Sequence, residues 1–93
     1  MPLFTIVLDY AGGTYIQQVR SASASSACRK WAQSLAVEQV RGLGTKGKIQ
    51  LTSQIEKDQP VALIGLSNAW CMTALVHGKL ALVNLIRTQI DAA

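Results

Sequence analysis

Residues 70–87 read WCMTALVHGKLALVNLIR, two apolar segments on either side of His77-Gly78-Lys79. Glycine in this place favours a tight two-residue β-turn, formed by either His77-Gly78 or Gly78-Lys79. Both alternatives pair even-numbered residues of the first strand with odd-numbered residues of the second. The sequence therefore predicts a β-hairpin whose two faces have the same members in either case.

The two faces of this hairpin differ in character. One is wholly apolar, and we expect it to lie in the core; its members are Trp70, Met72, Ala74, Val76, Ala81, Val83 and Leu85. The other face is half apolar, which is unusual for the solvated face of an antiparallel sheet; its members are Cys71, Thr73, Leu75, His77, Leu80, Leu82, Asn84 and Ile86. We interpret part of this second face as a candidate interface, formed by Leu75, Leu80, Leu82, Asn84 and Ile86.

The N-terminal part of the chain predicts a second hairpin and a helix. Apolar residues alternate from Leu3 to Tyr10, and Gly12-Gly13 as a two-residue turn pairs Tyr10 with Tyr15. A serine-rich segment follows, in which Ser21, Ser23 or Ser25 is expected to cap a helix. Apolar residues then recur with a helical period from Ala24, and we expect the helix to end near Arg41, with Gly42 as its stop.

The middle of the chain is less regular. Residues 42–48, GLGTKGK, predict a flexible, basic, glycine-rich loop. Residues 49–59 fit either a strand or a short amphipathic helix; glutamine, glutamate and lysine favour the helix, and Pro60 ends it. The tail from Thr88 to Ala93 is expected to fray.

Together these elements predict a single α+β domain over residues 1–93. Two β-hairpins form an antiparallel sheet of about four strands, with one main helix and a possible second short helix packed on one face. Trp31 and Leu35 are expected to fill the space between helix and sheet.

Composition limits the classes of protein to consider. The hydrophobic content of 49% and charged content of 15% indicate a folded chain, and the formal net charge is +4. No apolar segment is long enough to span a membrane, and the N-terminus lacks the cationic start of a signal peptide. We therefore expect a cytoplasmic protein without membrane attachment, whose two cysteines, Cys28 and Cys71, are buried free thiols.

Motifs for catalysis, cofactors and metals are weak. Residues 42–47 match G-x-G-x-x-G, but a predicted helix precedes them where a dinucleotide site needs a strand. Residues 42–48 match G-x-x-x-x-G-K, but Ile49 replaces the hydroxyl residue of a P-loop. His77 is the only histidine, and one His with two separated Cys makes no zinc site. We expect no enzyme activity, no cofactor and no metal.

Nucleic-acid binding is the alternative hypothesis. Arg41, Lys46 and Lys48 in a mobile loop are candidate contacts to an anion or a phosphate backbone. Against it, the chain has five aromatic residues, most of which are expected in the core and not available for base stacking.

One resemblance to a known family covers about a third of the chain. The opening hairpin with its Gly-Gly turn, the second strand and the small-residue helix start, from Phe4 to about Leu35, loosely resemble HicB-like antitoxin domains. The third strand and the proline-rich segment that this family has before the helix are absent. No function is carried over from it.

The sequence thus predicts a small non-catalytic interaction module that self-associates or binds a protein partner through the hairpin face. The cellular role and the identity of any partner do not follow from the residues.

Overall fold

The structure is a computed structural model, and it describes residues 1–88. Its elements in chain order are β1 (Leu3–Tyr10), β2 (Gly13–Arg20), α1 (Ala24–Ser34), a short 3-10 turn (Val37–Gln39), α2 (Gly44–Lys57), β3 (Val61–Ala62), β4 (Ala69–Val76) and β5 (Lys79–Thr88). The strands form one antiparallel sheet in the order β2-β1-β5-β4-β3. The predicted α+β fold is confirmed, with the two-residue strand β3 as a fifth member. Thr88 ends β5, and the rest of the predicted fraying tail lies outside the described residues.

The C-terminal hairpin, β4 and β5, forms as its sequence predicts. Its turn is His77-Gly78, which have φ values of 52° and 73° and join the paired residues Val76 and Lys79. Positive φ at both central residues is typical of a type I′ turn, whose twist matches that of the strands. The predicted core face is buried except at Trp70, which is half-buried.

The N-terminal hairpin, β1 and β2, has a register that differs by two residues from the predicted one. Its turn is Ala11-Gly12, so that Tyr10 pairs with Gly13, and Leu8 instead of Tyr10 pairs with Tyr15. The physical reason is the packing of Tyr15, whose ring lies over Gly13. A Cβ atom on Gly13 would be only 2.5 Å from the Tyr15 hydroxyl oxygen. Gly13 is therefore needed within β2, where it makes room for this ring, and not in the turn. A shift of two residues leaves every side chain on its predicted face.

Helix α1 begins where the serine-rich segment predicts. Ser23 is the N-cap, and its hydroxyl accepts a hydrogen bond from the backbone N–H of Ser26. Trp31 and Leu35 are buried, as expected. The predicted end near Arg41 is wrong, because α1 ends at Ser34. The apolar stripe stops at Leu35, and further helix would turn Glu38 and Gln39 inward; ending the helix instead lets Val40 and Leu43 reach the core.

Helix α2 corrects the prediction of a flexible loop at residues 42–48. It begins at Gly44 and runs for 14 residues to Lys57, so the helical alternative for residues 49–59 is confirmed, and α2 is longer than the 11-residue α1. Gly42 and Gly44 have positive φ values of 80° and 63°, which favour glycine. Gly47 is buried where α2 meets the C-terminal hairpin. These glycines therefore belong to the start of a helix and not to a flexible loop.

Both helices lie on the same side of the sheet. Helix α1 packs over β1 and β2, and α2 packs over β4. The core between them is one cluster that includes Ile6, Leu8, Leu51 and Val83. No helix within residues 1–88 is long and apolar enough to cross a membrane. The opposite side of the sheet carries no layer from the described part of the chain.

Candidate protein interface

The uncovered side of the sheet, here called the open face, is built by alternate residues of all the strands. Strand pairing aligns Ile16 with Val7, Val7 with Asn84, Asn84 with Cys71, and Cys71 with Val61, which makes one row across the whole sheet. Adjacent rows place Leu82 beside Asp9 and Ile86 beside Thr5. The open face is therefore a continuous surface about four long strands wide.

The five residues of the predicted interface all lie on the open face. Leu75 and Leu80 form a directly opposed pair at the end of the C-terminal hairpin, and Leu82, Asn84 and Ile86 continue along β5. Leu75 and Leu80 are 61% and 60% exposed and Ile86 is 45% exposed, while Leu82 and Asn84 are half-buried among their neighbours. Within residues 1–88, neither helix covers these side chains.

Apolar side chains from outside this hairpin also lie on the open face, among them Leu3 on β1 and Val61 on β3, which is 68% exposed. Val7 on β1 is half-buried beside Asn84, and Ile16 on β2 is 65% exposed. The alternation of β1 already separates Val7 from Phe4 and Ile6. Val7 and Ile16 join the candidate interface only because β1 pairs with β5. These strands lie at opposite ends of the chain, and local patterns do not predict their pairing.

The polar groups on the open face are largely satisfied within the sheet. Asp9 accepts a hydrogen bond of 2.7 Å from the Thr14 hydroxyl. The Thr5 hydroxyl bonds to that of Thr88 and accepts a hydrogen bond from the Gln18 amide. Among the described strand residues of this face, Asp9 and Arg20 are the charged ones; Asp9 lies beside Leu82, and Arg20 lies at the far end of β2. Few charges thus have to lose water when the face is covered.

The basic residues Arg41, Lys46 and Lys48 lie just before and within the start of α2. Arg41 precedes α2, and its backbone N–H donates to the Tyr15 hydroxyl over 3.1 Å. Lys46 and Lys48 are both in the first turns of α2, and two helical steps place them about 160° apart around the axis. Lys46 is exposed and Lys48 is half-buried beside the core stripe. Lys46 and Lys48 therefore face different sides of α2.

His77 has a structural position that the sequence does not predict. Its Nε2–H donates to the carbonyl oxygen of Leu43 over 2.8 Å, and its backbone N–H donates to the side-chain oxygen of Gln50 over 2.8 Å. The ring therefore joins the hairpin turn to the start of α2. Its hydrogen bonds go to backbone and amide groups, with no nucleophile or carboxylate as partner.

The two cysteines are free, as predicted, but the predicted burial is confirmed for Cys28 only and is wrong for Cys71. Cys71 is half-buried on the open face. Cys28 is buried in α1, and burial raises the pKa of its thiol from the ordinary 9.0 to about 11, against a smaller opposing effect of Arg29. The Cys28 thiol is therefore protonated at neutral pH and is a poor nucleophile.

Residues 1–88 contain no group of three or more His, Cys, Asp or Glu side chains arranged to hold a metal ion. Compared with known proteins, the chain matches no family model, no curated protein and no solved structure. The resemblance of residues 4–35 to HicB-like antitoxin domains thus finds no support. The described part of the chain leaves the open face uncovered, with several of its apolar side chains exposed.

Proposed function

We propose that this protein is a small non-catalytic interaction module that self-associates through the open face. The observation that carries the proposal is the set of apolar side chains left exposed on an uncovered sheet. Its most exposed members are Ile16, Val61, Leu75, Leu80 and Ile86. Exposed apolar side chains scattered singly are ordinary, but a contiguous group on one flat face marks an interaction site.

The size of the open face supports a dimer. Four long strands spaced about 4.8 Å apart, each about 26 Å long, cover about 500 Å² in projection, and protruding side chains add to the accessible area. A standard interface buries about 800 Å² per partner. Face-to-face packing of two antiparallel sheets at a separation of about 10 Å is a common way to bury such surfaces.

A second copy of the chain is the occupant that the face fits best. An isologous contact needs one self-complementary surface, and the open face offers apolar groups with few charges. Asn84 lies in the middle row between Val7 and Cys71. Its amide carries both donors and an acceptor, so across a two-fold axis it can pair with its own counterpart and select one register.

The substitution Ile86→Lys tests this proposal. It places a lysine on the open face beside Thr5 and Ala69. In the dimer, each copy then brings a positive charge into the same interface. Leu82 is a less suitable position because Asp9 lies directly opposite and would partly neutralise the new charge. We expect self-association to weaken about tenfold or more, as measured by sedimentation equilibrium at micromolar concentrations, with an unchanged circular dichroism spectrum.

The matched control is Ile49→Lys. Ile49 is 64% exposed on α2, on the other side of the sheet, so the same change of chemistry is expected to leave association unaltered. A wild-type protein that is monomeric at high micromolar concentration contradicts the proposal. Equal weakening by both substitutions contradicts the assignment to the open face.

The nucleic-acid alternative predicts a different result. If Arg41, Lys46 and Lys48 form a phosphate site, the triple change to glutamine should abolish binding of a labelled oligonucleotide at low salt, where the electrostatic contribution is largest. Because Lys46 and Lys48 face different sides of α2, we expect at most weak binding. We also expect that binding to fall equally when three other cations, Arg29, Lys57 and Lys79, are changed to glutamine. Fluorescence anisotropy measures both, and a selective loss in the first triple variant would favour the alternative.

A further inference from the structure

The free edge of β2 differs from the opposite edge of the sheet. Strand β2 pairs with β1 on one side only, and it contains no proline and no charged residue from Gly13 to Val19. Natural sheets usually protect their edges with prolines, charges, bulges or covering segments. The seven residues from Gly13 to Val19 have neither a proline nor a charge and are a template for a further strand.

In an antiparallel strand, alternate residues direct their backbone N–H and C=O groups toward the neighbouring strand, so the pairing of β2 with β1 shows which groups of β2 point away. The two-residue turn closes on the hydrogen-bonded pair Tyr10–Gly13, and the bond from the Ser21 N–H to the Pro2 carbonyl at the far end agrees with this alternation. Thr14, Ile16 and Gln18 are therefore the residues whose N–H and C=O groups point away from β1. Among residues 1–88, these backbone groups have no hydrogen-bond partner. The next outward carbonyl, that of Arg20, accepts a hydrogen bond from the Lys30 ammonium group over 2.9 Å.

The opposite edge, formed by β4, is capped by side chains and by β3. The Gln54 amide bonds to both the N–H and the C=O of Leu75, and Gln50 accepts from the N–H of His77. Further along β4, Val61 of β3 pairs with Cys71. The glutamines of α2 thus occupy backbone groups that another strand would need, and they do so at one edge of the sheet only.

We propose that β2 is a second self-association site, at which it pairs in antiparallel fashion with β2 of another copy to form a continuous sheet. A two-fold axis through Ile16 pairs Thr14 of each copy with Gln18 of the other, and Ile16 with its counterpart. The unpaired N–H and C=O groups of Thr14, Ile16 and Gln18 all find partners in this register. The site uses the backbone groups of the β2 edge and does not depend on the open face, although the Ile16 side chain belongs to that face.

The positions of the charged side chains and the capping of the β4 edge are both compatible with this pairing. Antiparallel alignment places the two Arg20 side chains at opposite ends of the contact, about 27 Å apart, well beyond the screening length of about 8 Å at physiological salt. Because the β4 edge is capped, head-to-tail growth of β2 onto β4 is blocked. The edge contact taken alone therefore closes at two copies, and a chain that also uses the open face can assemble beyond a dimer.

The substitution Gln18→Pro isolates this edge. The Gln18 N–H points outward, so proline leaves the hydrogen bonds of β2 with β1 intact and removes a donor that the added strand needs. The matched control is Gln18→Ala, which removes the side-chain bond to Thr5 but keeps the N–H. Both are made in the Ile86→Lys protein, in which the open-face contact is weakened.

Sedimentation and amide hydrogen exchange give separate outcomes. We expect the Ile86→Lys protein to remain dimeric at high micromolar concentration, with the Ile16 and Gln18 amides protected more strongly as concentration rises. Gln18→Pro should weaken this dimer about tenfold or more, and Gln18→Ala should not. If Gln18→Pro does not fold, concentration-dependent exchange at Ile16 in the parent protein decides the question.

Other results overturn the proposal in distinguishable ways. A monomeric Ile86→Lys protein whose Ile16 and Gln18 amides exchange freely at every concentration excludes the edge site and leaves the open-face proposal standing. A wild-type protein that is monomeric throughout excludes both.

Discussion

Trp31→Ala is expected to lower the free energy of unfolding by about 3 to 5 kcal/mol. The indole is 2% exposed and lies on the face of α1 that packs on the sheet. Its removal loses the transfer free energy of a large apolar side chain and leaves a cavity that the flanking strands cannot fill by side-chain rotation alone. Urea denaturation followed by far-ultraviolet circular dichroism measures the change.

The second tryptophan provides the comparison. Trp70 is half-buried on β4, with its ring centroid 5.8 Å from that of Phe4. Because part of its surface already meets solvent, Trp70→Ala should cost clearly less than Trp31→Ala. Equal losses, or a midpoint unmoved by Trp31→Ala, would show that α1 does not present Trp31 to the core.

Gly47→Val is expected to destabilise the protein by about 1 to 3 kcal/mol, even though valine has the higher helix propensity. A Cβ atom at this position would lie 2.9 Å from Nε2 of His77, 3.1 Å from Cδ1 of Leu43 and 3.2 Å from Cγ1 of Val76. The two further methyl groups of valine find no space there. Helix α2 must then move away from the hairpin, or the His77 ring must give up its hydrogen bond to Leu43.

Thr45→Val is the control for this prediction. Thr45 is exposed in the same first turn of α2, so the same new side chain should change stability by no more than about 0.5 kcal/mol. Denaturant midpoints of the two variants give the comparison. A Gly47→Val protein as stable as the wild type would show that α2 is not packed against the hairpin turn.

Local patterns in the sequence determine the elements with strong periodicity. The C-terminal hairpin and both of its faces follow from alternation around Gly78, whereas the choice of His77-Gly78 over Gly78-Lys79 as the turn comes from the structure. The start of α1 follows from the serine-rich segment, and the burial of Trp31 from its helical period. The candidate interface residues on β4 and β5 belong to this group, because alternation alone assigns them to the second face.

Predictions at the glycines were wrong where a glycine makes room for a packed side chain instead of forming a turn or a loop. Gly13 is needed by the Tyr15 ring rather than by the turn, so the register of the first hairpin differs by two residues. Gly47 is needed by the close approach of α2 to Val76 and His77, so the segment predicted as a loop is helical. A glycine in a sequence does not indicate whether its missing side chain allows a positive φ or makes room for a neighbour.

By itself, the sequence determined which residues form a strand or helix face, because alternation and helical period act between near neighbours along the chain. Only the tertiary structure decided that β1 lies beside β5, that both helices pack on one side, and that the β4 edge is capped while the β2 edge is free. The physical reason is that these features depend on contacts between residues far apart in the chain, such as Val7 with Asn84 and Gln54 with Leu75. Pairing and packing of whole elements select such contacts, and no local pattern encodes them.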